Sequence, residues 1–235
     1  MKTAKMPLVL MYHSVDEYEE DPFQVTVTPG RFGRQLRWLK ARGLRGVSMR
    51  ELLTAKESGN ARGLVGLTFD DGFADFNDQV IGALHEHDYT ATVFVVAQRI
   101  GGHNTWDGGE RPLMTEKQIR EAAEAGMEVA SHGLNHVALT EAHEHEVEEE
   151  LVRSREVLQE IIGEPVTGFA YPYGHVSARE AEAVERAGYD YACAIWPSEE
   201  TGRFALPRTY IGERDTTYRL RAKFLRHECR WRTRV

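Results

Sequence analysis

Ala91-Thr92-Val93-Phe94-Val95-Val96-Ala97 decides the fold class of this chain. An uncharged run rich in β-branched side chains reads as a strand buried on both faces, because a strand with one wet face alternates apolar and polar residues. Such strands belong to parallel sheets covered by helices, and the flanking sequence supplies both elements.

Upstream, Leu64 to Phe69 is a second apolar run, and Asp75 to His87 has the spacing of a helix. Further back, Pro7 to Met11 reads as a first strand. Thr28 with Pro29 opens a helix whose stripe is Phe32, Leu36 and Leu39 and which stops at Gly43, and Ser48 with Glu51 forms a capping box for a short helix. Downstream, Thr115 with Gln118 caps a helix ending at Gly126, and Met127 to Ala130 is a strand. Glu141 to Ile162 is a long acidic helix, Phe169 to Tyr171 a short strand, and Ser177 with Glu180 opens a helix ending at Gly188. Tyr191 to Trp196 and Ala205 to Ile211 are the last strands. Strands alternating with helices predict an α/β domain whose parallel sheet closes into a barrel. Chemistry in such folds sits at the carboxyl ends of the strands.

The chain has 235 residues and no linker-like stretch, which favours one domain. A formal charge of −8 argues against a general nucleic-acid binder. Arg219 to Arg234 is nevertheless strongly basic and reads as a solvated helix and tail, or else as a patch for an anionic partner. Cys193 lies in an apolar run and reads as a core residue; a bridge to Cys229 stays open, but there is no disulfide framework. No run is long enough to span a bilayer, and Met1 to Lys5 does not open a secretory leader. As given the chain reads as cytosolic, and a removed leader would make it secreted or envelope-associated.

Two segments carry chemistry. Leu67-Thr68-Phe69-Asp70-Asp71-Gly72 ends an apolar run with adjacent carboxylates, and Ser131-His132-Gly133-Leu134-Asn135-His136 ends another with two imidazoles four residues apart. Alone, Asp70-Asp71 is as easily a helix N-cap pair, and His132 with His136 a surface helix face. Together at strand ends, with His13 and Tyr173 similarly placed, they hold the parts of a metal-assisted hydrolase: one carboxylate and two histidines as ligands, and a spare carboxylate as base.

These segments resemble the polysaccharide deacetylase (NodB-homology) domain of carbohydrate esterase family 4. Its Thr-Phe-Asp-Asp-Gly motif is matched at Thr68 to Gly72, its Ser-His-x-x-x-His motif at Ser131, His132 and His136, and its Arg-x-Pro-Tyr/Phe-Gly motif in part at Ala170-Tyr171-Pro172-Tyr173-Gly174. The resemblance implies a single distorted (β/α)7-type barrel over residues 1–235. It implies Asp71, His132 and His136 as metal ligands, Asp70 as general base, and the Tyr173 N–H, just past Pro172, as a donor to the oxyanion. Zinc is the default ion for this ligand set, with cobalt, nickel and iron(II) able to take the same ligands.

Two departures matter. Ala170 stands where the family has an arginine that orients the base, and Arg208, after a late strand, is the candidate replacement. The family's C-terminal apolar strand ending in a histidine is missing from the end of the chain, but Leu8 to His13 at the start has that form. This is similar to the circularly permuted branch that includes exopolysaccharide deacetylases, and it makes His13 the catalytic acid; the ordinary alternative is a structural histidine bonded to backbone.

Trp106, in the glycine-rich loop Gly101 to Gly109, either stacks on a sugar face or is incidental. Trp196 either lines an acetyl pocket or fills core. The His143 to Glu150 run reads as a solvated acidic helix face, and His85 and His87 as exposed. The substrate implied by the resemblance is an N-acetylated amino sugar, as polymer or oligomer. A small N-acylated metabolite and an O-acetyl ester are the other substrates the same parts serve. A non-catalytic glycan-binding barrel is disfavoured, because binding alone needs no base beside the metal.

Overall fold

The computed structural model describes residues 7–106, 108–195 and 200–232. Its strands are β1 (Val9–Tyr12), β2 (Ser14–Val15), β3 (Thr26–Val27), β4 (Arg45–Val47), β5 (Leu64–Phe69), β6 (Thr92–Val95), β7 (Glu128–Ser131), β8 (Gly168–Ala170), β9 (Tyr191–Ile195) and β10 (Leu206–Tyr210). Its helices are α1 (Pro29–Lys40), α2 (Met49–Glu57), α3 (Ile81–His85), α4 (Glu116–Glu124), α5 (Glu144–Ile162), α6 (Ala178–Arg186) and α7 (Thr217–Arg232).

Seven parallel strands close on themselves in the order β1-β10-β9-β8-β7-β6-β5 and back to β1. The first strand is therefore the staple between β10 and β5. Tyr12 pairs with Phe69, and Met11 with Tyr210. Outside the ring, β4 adds to the start of β5 and accepts a bond from Thr90 N–H at Gly46 O.

Strand alternation divides the apolar residues in two. Leu10, Tyr12, Leu67, Phe69, Val93, Val95, Val129 and Phe169 point outward and pack under the helices, which is the larger core. Val9, Phe94, Ala130, Ala170, Tyr191, Cys193 and Leu206 point inward, and Met49, Leu52 and Leu53 of α2 close the amino end of the barrel. Gly66 is the inward residue that admits this plug: a Cβ there would sit 3.0 Å from Leu52, 3.1 Å from Met49 Sδ and 3.2 Å from Val9. Small inward residues at Ala130, Ala170 and Cys193 leave the carboxyl end of the barrel lumen to larger polar side chains.

Several boundaries differ from the sequence reading, each for a local reason. The 75–87 segment is not one α-helix. A π-turn runs over Phe76–Val80, keeping both of those side chains buried, before α3 begins. Asp75, the expected start, instead accepts from Ser14 Oγ at 2.7 Å and Val15 N–H at 2.9 Å. The Ser48–Glu51 box is half formed: Ser48 Oγ caps Glu51 N–H, but Ser48 N–H goes to Thr90 Oγ1, which in turn donates to Glu51. Helix α5 starts at Glu144 because a 3-10 turn occupies Leu139–Glu141.

Helix α7, Thr217–Arg232, takes in the described part of the basic segment and is fastened by Phe224 on the Trp38 ring (4.8 Å) and by Lys223 Nζ on Asp215 (2.6 Å). Cys193 is buried and Cys229 exposed, with no bridge between them. Among the described residues, no helix is long and apolar enough to cross a membrane.

Candidate active site

The alternation that sends Phe69 outward sends Asp70 into the barrel mouth. In the same way Ser131 points out and His132 in, and Tyr12 out and His13 toward the mouth. Asp70 N–H donates to Tyr12 O at 3.0 Å, so the β1–β5 register sets His13 and Asp70 at the same height. Just past the strands, the backbone turns sharply. Asp71 (φ 71°), His136 (φ 62°) and Tyr173 (φ 61°) are three of the five non-glycine residues with positive φ among those described. Left-handed backbone costs about 1–3 kcal/mol at such residues, and strain of this kind gathers at functional sites.

Asp71, His132 and His136 converge, all three buried, with ligand atoms within 4.8 Å of one another. Asp71 Oδ1 lies 3.4 Å from His132 Nε2 and 3.3 Å from His136 Nε2. That oxygen is buried and has no well-aligned hydrogen-bond partner. Two donors about 2.0–2.1 Å from a tetrahedral ion stand about 3.3 Å apart, so these separations suit a shared cation. His132 Nδ1 lies 2.8 Å from Ala170 O. A carbonyl only accepts, so Nδ1 carries the proton and Nε2 keeps its lone pair toward Asp71.

The His136 ring is held on two sides. Trp106 stacks on it at 4.2 Å and 13°, and Tyr173 meets it edge-on at 4.8 Å and 68°. Trp106 is buried, and this face rests on an imidazole rather than opening to a sugar. Tyr173 belongs to the Pro172–Gly174 turn and is 48% exposed, while Pro172 is buried.

Burial works against ionisation of Asp71, but the His132 and His136 imidazoles beside it, with the field of His13, hold its carboxyl well below the usual carboxylate range. Burial likewise opposes a charged His132, while the adjacent Asp71 and Asp70 carboxylates raise its pKa.

Arg208 reaches Asp70 across the lumen. Nη1 is 2.5 Å from Oδ1 and Nη2 2.8 Å from Oδ2, with Arg208 1% and Asp70 3% exposed. The same guanidinium lies over the Phe94 ring and donates to Thr68 Oγ1. Burial alone would raise the pKa of Asp70; Arg208, then His132 and His13, hold it below the usual value. His13 is half-buried, and its Nδ1 makes no hydrogen bond.

The structure thus brings together Asp70, Asp71, His132, His136 and Arg208, with His13, Tyr173, Pro172 and Trp106 around them. Trp196 lies outside the described residues. One inward carboxylate was hidden in the acidic run: Glu148 and Glu149 are exposed, but Glu150 is buried against the loop that carries His136. The i, i+3, i+4 recurrence of Val147, Glu150 and Leu151 is the signal that marks it.

The profile of the polysaccharide deacetylase family matches residues 57–192. This chain belongs to that family. The matched stretch holds Asp70, Asp71, His132, His136 and Tyr173, whereas His13 and Arg208 flank it on either side. The chain is 26% identical over 215 residues to YxkH of Bacillus subtilis, a protein named as a polysaccharide deacetylase, covering 89% of this chain and 72% of the relative. It is 24% identical over 199 residues to the poly-β-1,6-N-acetyl-D-glucosamine N-deacetylase of Staphylococcus epidermidis, covering 79% and 68%. The fold is similar to that of the Streptococcus pyogenes deacetylase PplD in complex with acetate (TM-score 0.78, 24% identity, 94% of this chain and 98% of the other). It is also similar to IcaB from Ammonifex degensii (TM-score 0.76, 22% identity, 93% and 96%).

Proposed function

We propose that this deacetylase is a metal-dependent amide hydrolase that removes N-acetyl groups from an N-acetylated amino-sugar polymer, with zinc as its ion. One observation carries the reading. Asp71 Oδ1 is buried and poorly hydrogen-bonded between two imidazole Nε2 atoms, and the neighbouring Asp70 is an ionised carboxylate aimed into the same mouth. Two neutral imidazoles and one carboxylate fit zinc, and Asp71, His132 and His136 would hold it.

An ion there supplies Lewis acidity toward the acyl carbonyl and toward water. Asp70 takes the proton from the attacking water at a carboxylate oxygen, and Arg208 keeps that carboxylate ionised and pointed. The Tyr173 N–H donates to the oxygen on which charge develops. His13 gives a proton to the departing nitrogen. Support for a polymer comes from the named activity of the staphylococcal relative and from the half-exposed Tyr173 ring beside His136.

The test is acetate release from a β-1,6-linked N-acetylglucosamine oligomer and from chitooligosaccharide, after chelation and again after adding Zn2+. Turnover is expected only with metal, and Asp70→Asn is expected to abolish it. Full turnover by Asp70→Asn, or by chelated enzyme, would overturn the proposal. A panel of small N-acetylated metabolites in the same assay checks the polymer assignment.

A further inference from the structure

Helix α5 turns most of its glutamates to solvent, but Val147, Glu150, Leu151, Ser154 and Leu158 form its buried face. Glu150 is 4% exposed, where a carboxylate must have its lone pairs satisfied. Among the described residues, every hydrogen bond its carboxylate accepts comes from the short loop between the two histidines. Oε2 accepts from Leu134 N–H at 2.7 Å and Asn135 N–H at 3.0 Å. Oε1 accepts from Asn135 Nδ2 at 3.0 Å and more weakly from Asn135 N–H at 3.1 Å.

One helical turn on, Ser154 continues the contact. Ser131 Oγ donates to Ser154 Oγ at 2.8 Å and accepts from Gly133 N–H at 3.1 Å. The loop these bonds hold is not one a free chain would favour, since His136 carries a side chain at φ 62°, while Gly133 takes φ 82° without that penalty. Gly133 also has to be glycine for Glu150 to reach: a Cβ there would sit 2.8 Å from Glu150 Oε2.

We propose that Glu150 is a positioning residue of the metal site, its carboxylate pre-forming the loop that presents His136 before an ion arrives. This rests on the reading that Asp71, His132 and His136 hold a divalent cation. Partners of this kind typically change metal affinity by roughly ten- to a hundred-fold when removed.

The experiment measures Zn2+ affinity of the full chain by competition with a chromophoric chelator, alongside thermal melting of the metal-free proteins. Glu150→Leu is expected to weaken Zn2+ binding by roughly ten-fold or more while still melting cooperatively. Glu150→Gln, whose amide oxygen can keep two of the N–H bonds, should weaken it less, and Glu148→Gln on the solvent face should leave it unchanged. A folded Glu150→Leu protein with wild-type affinity would overturn the inference alone; a wild type that binds no Zn2+ would overturn the metal reading and this inference with it. If Glu150→Leu does not fold, amide exchange in the metal-free wild type decides. Protected Leu134 and Asn135 amides support a pre-formed loop, and protection that arises only after Zn2+ is added means that the ion, not Glu150, forms it.

Discussion

Arg208 grips Asp70 through both carboxylate oxygens, at 2.5 and 2.8 Å, in a barrel lumen that excludes solvent from both side chains. Breaking a buried pair from one side strands the other charge, at a cost of about 3–5 kcal/mol. Arg208→Met is therefore expected to lose stability on that scale in urea denaturation. The double variant Asp70→Asn/Arg208→Met should recover much of it. Arg208→Lys keeps the charge but not the two-pronged geometry, so its acetate release should fall while its stability falls less.

Metal binding to the folded state alone should appear as stability. Zn2+ at a hundred times its Kd is expected to add about 2.7 kcal/mol, read as an upward shift in Tm. Asp71→Ala should melt at the same temperature with and without Zn2+.

Trp106 stacks on His136, and such aromatic pairs are worth about 0.5–1.5 kcal/mol beyond burial. Trp106→Leu is expected to weaken Zn2+ binding by roughly two- to ten-fold, and Trp106→Phe by less, in the chelator competition. Zn2+ should also change tryptophan fluorescence in the wild type, with the change much reduced in Trp106→Phe.

Asp75 is pushed up to about 6 by burial, against the bonds from Val15 and Ser14 and the nearby Arg111. The folded state therefore holds this proton more tightly than the unfolded chain, whose carboxyl titrates near 3.8. The resulting contribution to stability is fully present below about 3.8 and is lost as pH rises through 6, a swing of about 3 kcal/mol. Asp75→Asn removes that titration. From pH 4 to pH 7 the wild type should lose most of this, about 2.4 kcal/mol, relative to the variant in matched urea melts. A pH-independent difference would contradict the assignment.

Asp70, Asp71 and His132 were legible because each follows an apolar run within one or two residues, and His136 because it repeats the imidazole four residues after His132. Where a strand ends is a local property, and alternation along it tells which side chain enters the lumen. Asp70 and His132 could be read in this way without knowing what lay opposite; Asp71 and His136 came with them through the paired motifs. Glu150 was not, since a run of glutamates hides the one on the apolar stripe. Nor was the wide turn over Phe76–Val80, which preserves the burial of two side chains at the expense of helical spacing.

By itself the sequence determined the seven barrel strands, most of the helices between them and the chemical types gathered at the strand ends, all consequences of short-range periodicity and capping. Only the tertiary structure decided the partners. Asp70 and Arg208 are 138 residues apart, and they meet because β1 closes the ring between β5 and β10. Trp106 faces His136, and Glu150 the loop before it, because long-range packing brings a β6 loop and a helix face onto one turn. No local pattern encodes such meetings: they follow from closure and register, which are settled by burial summed over the whole barrel.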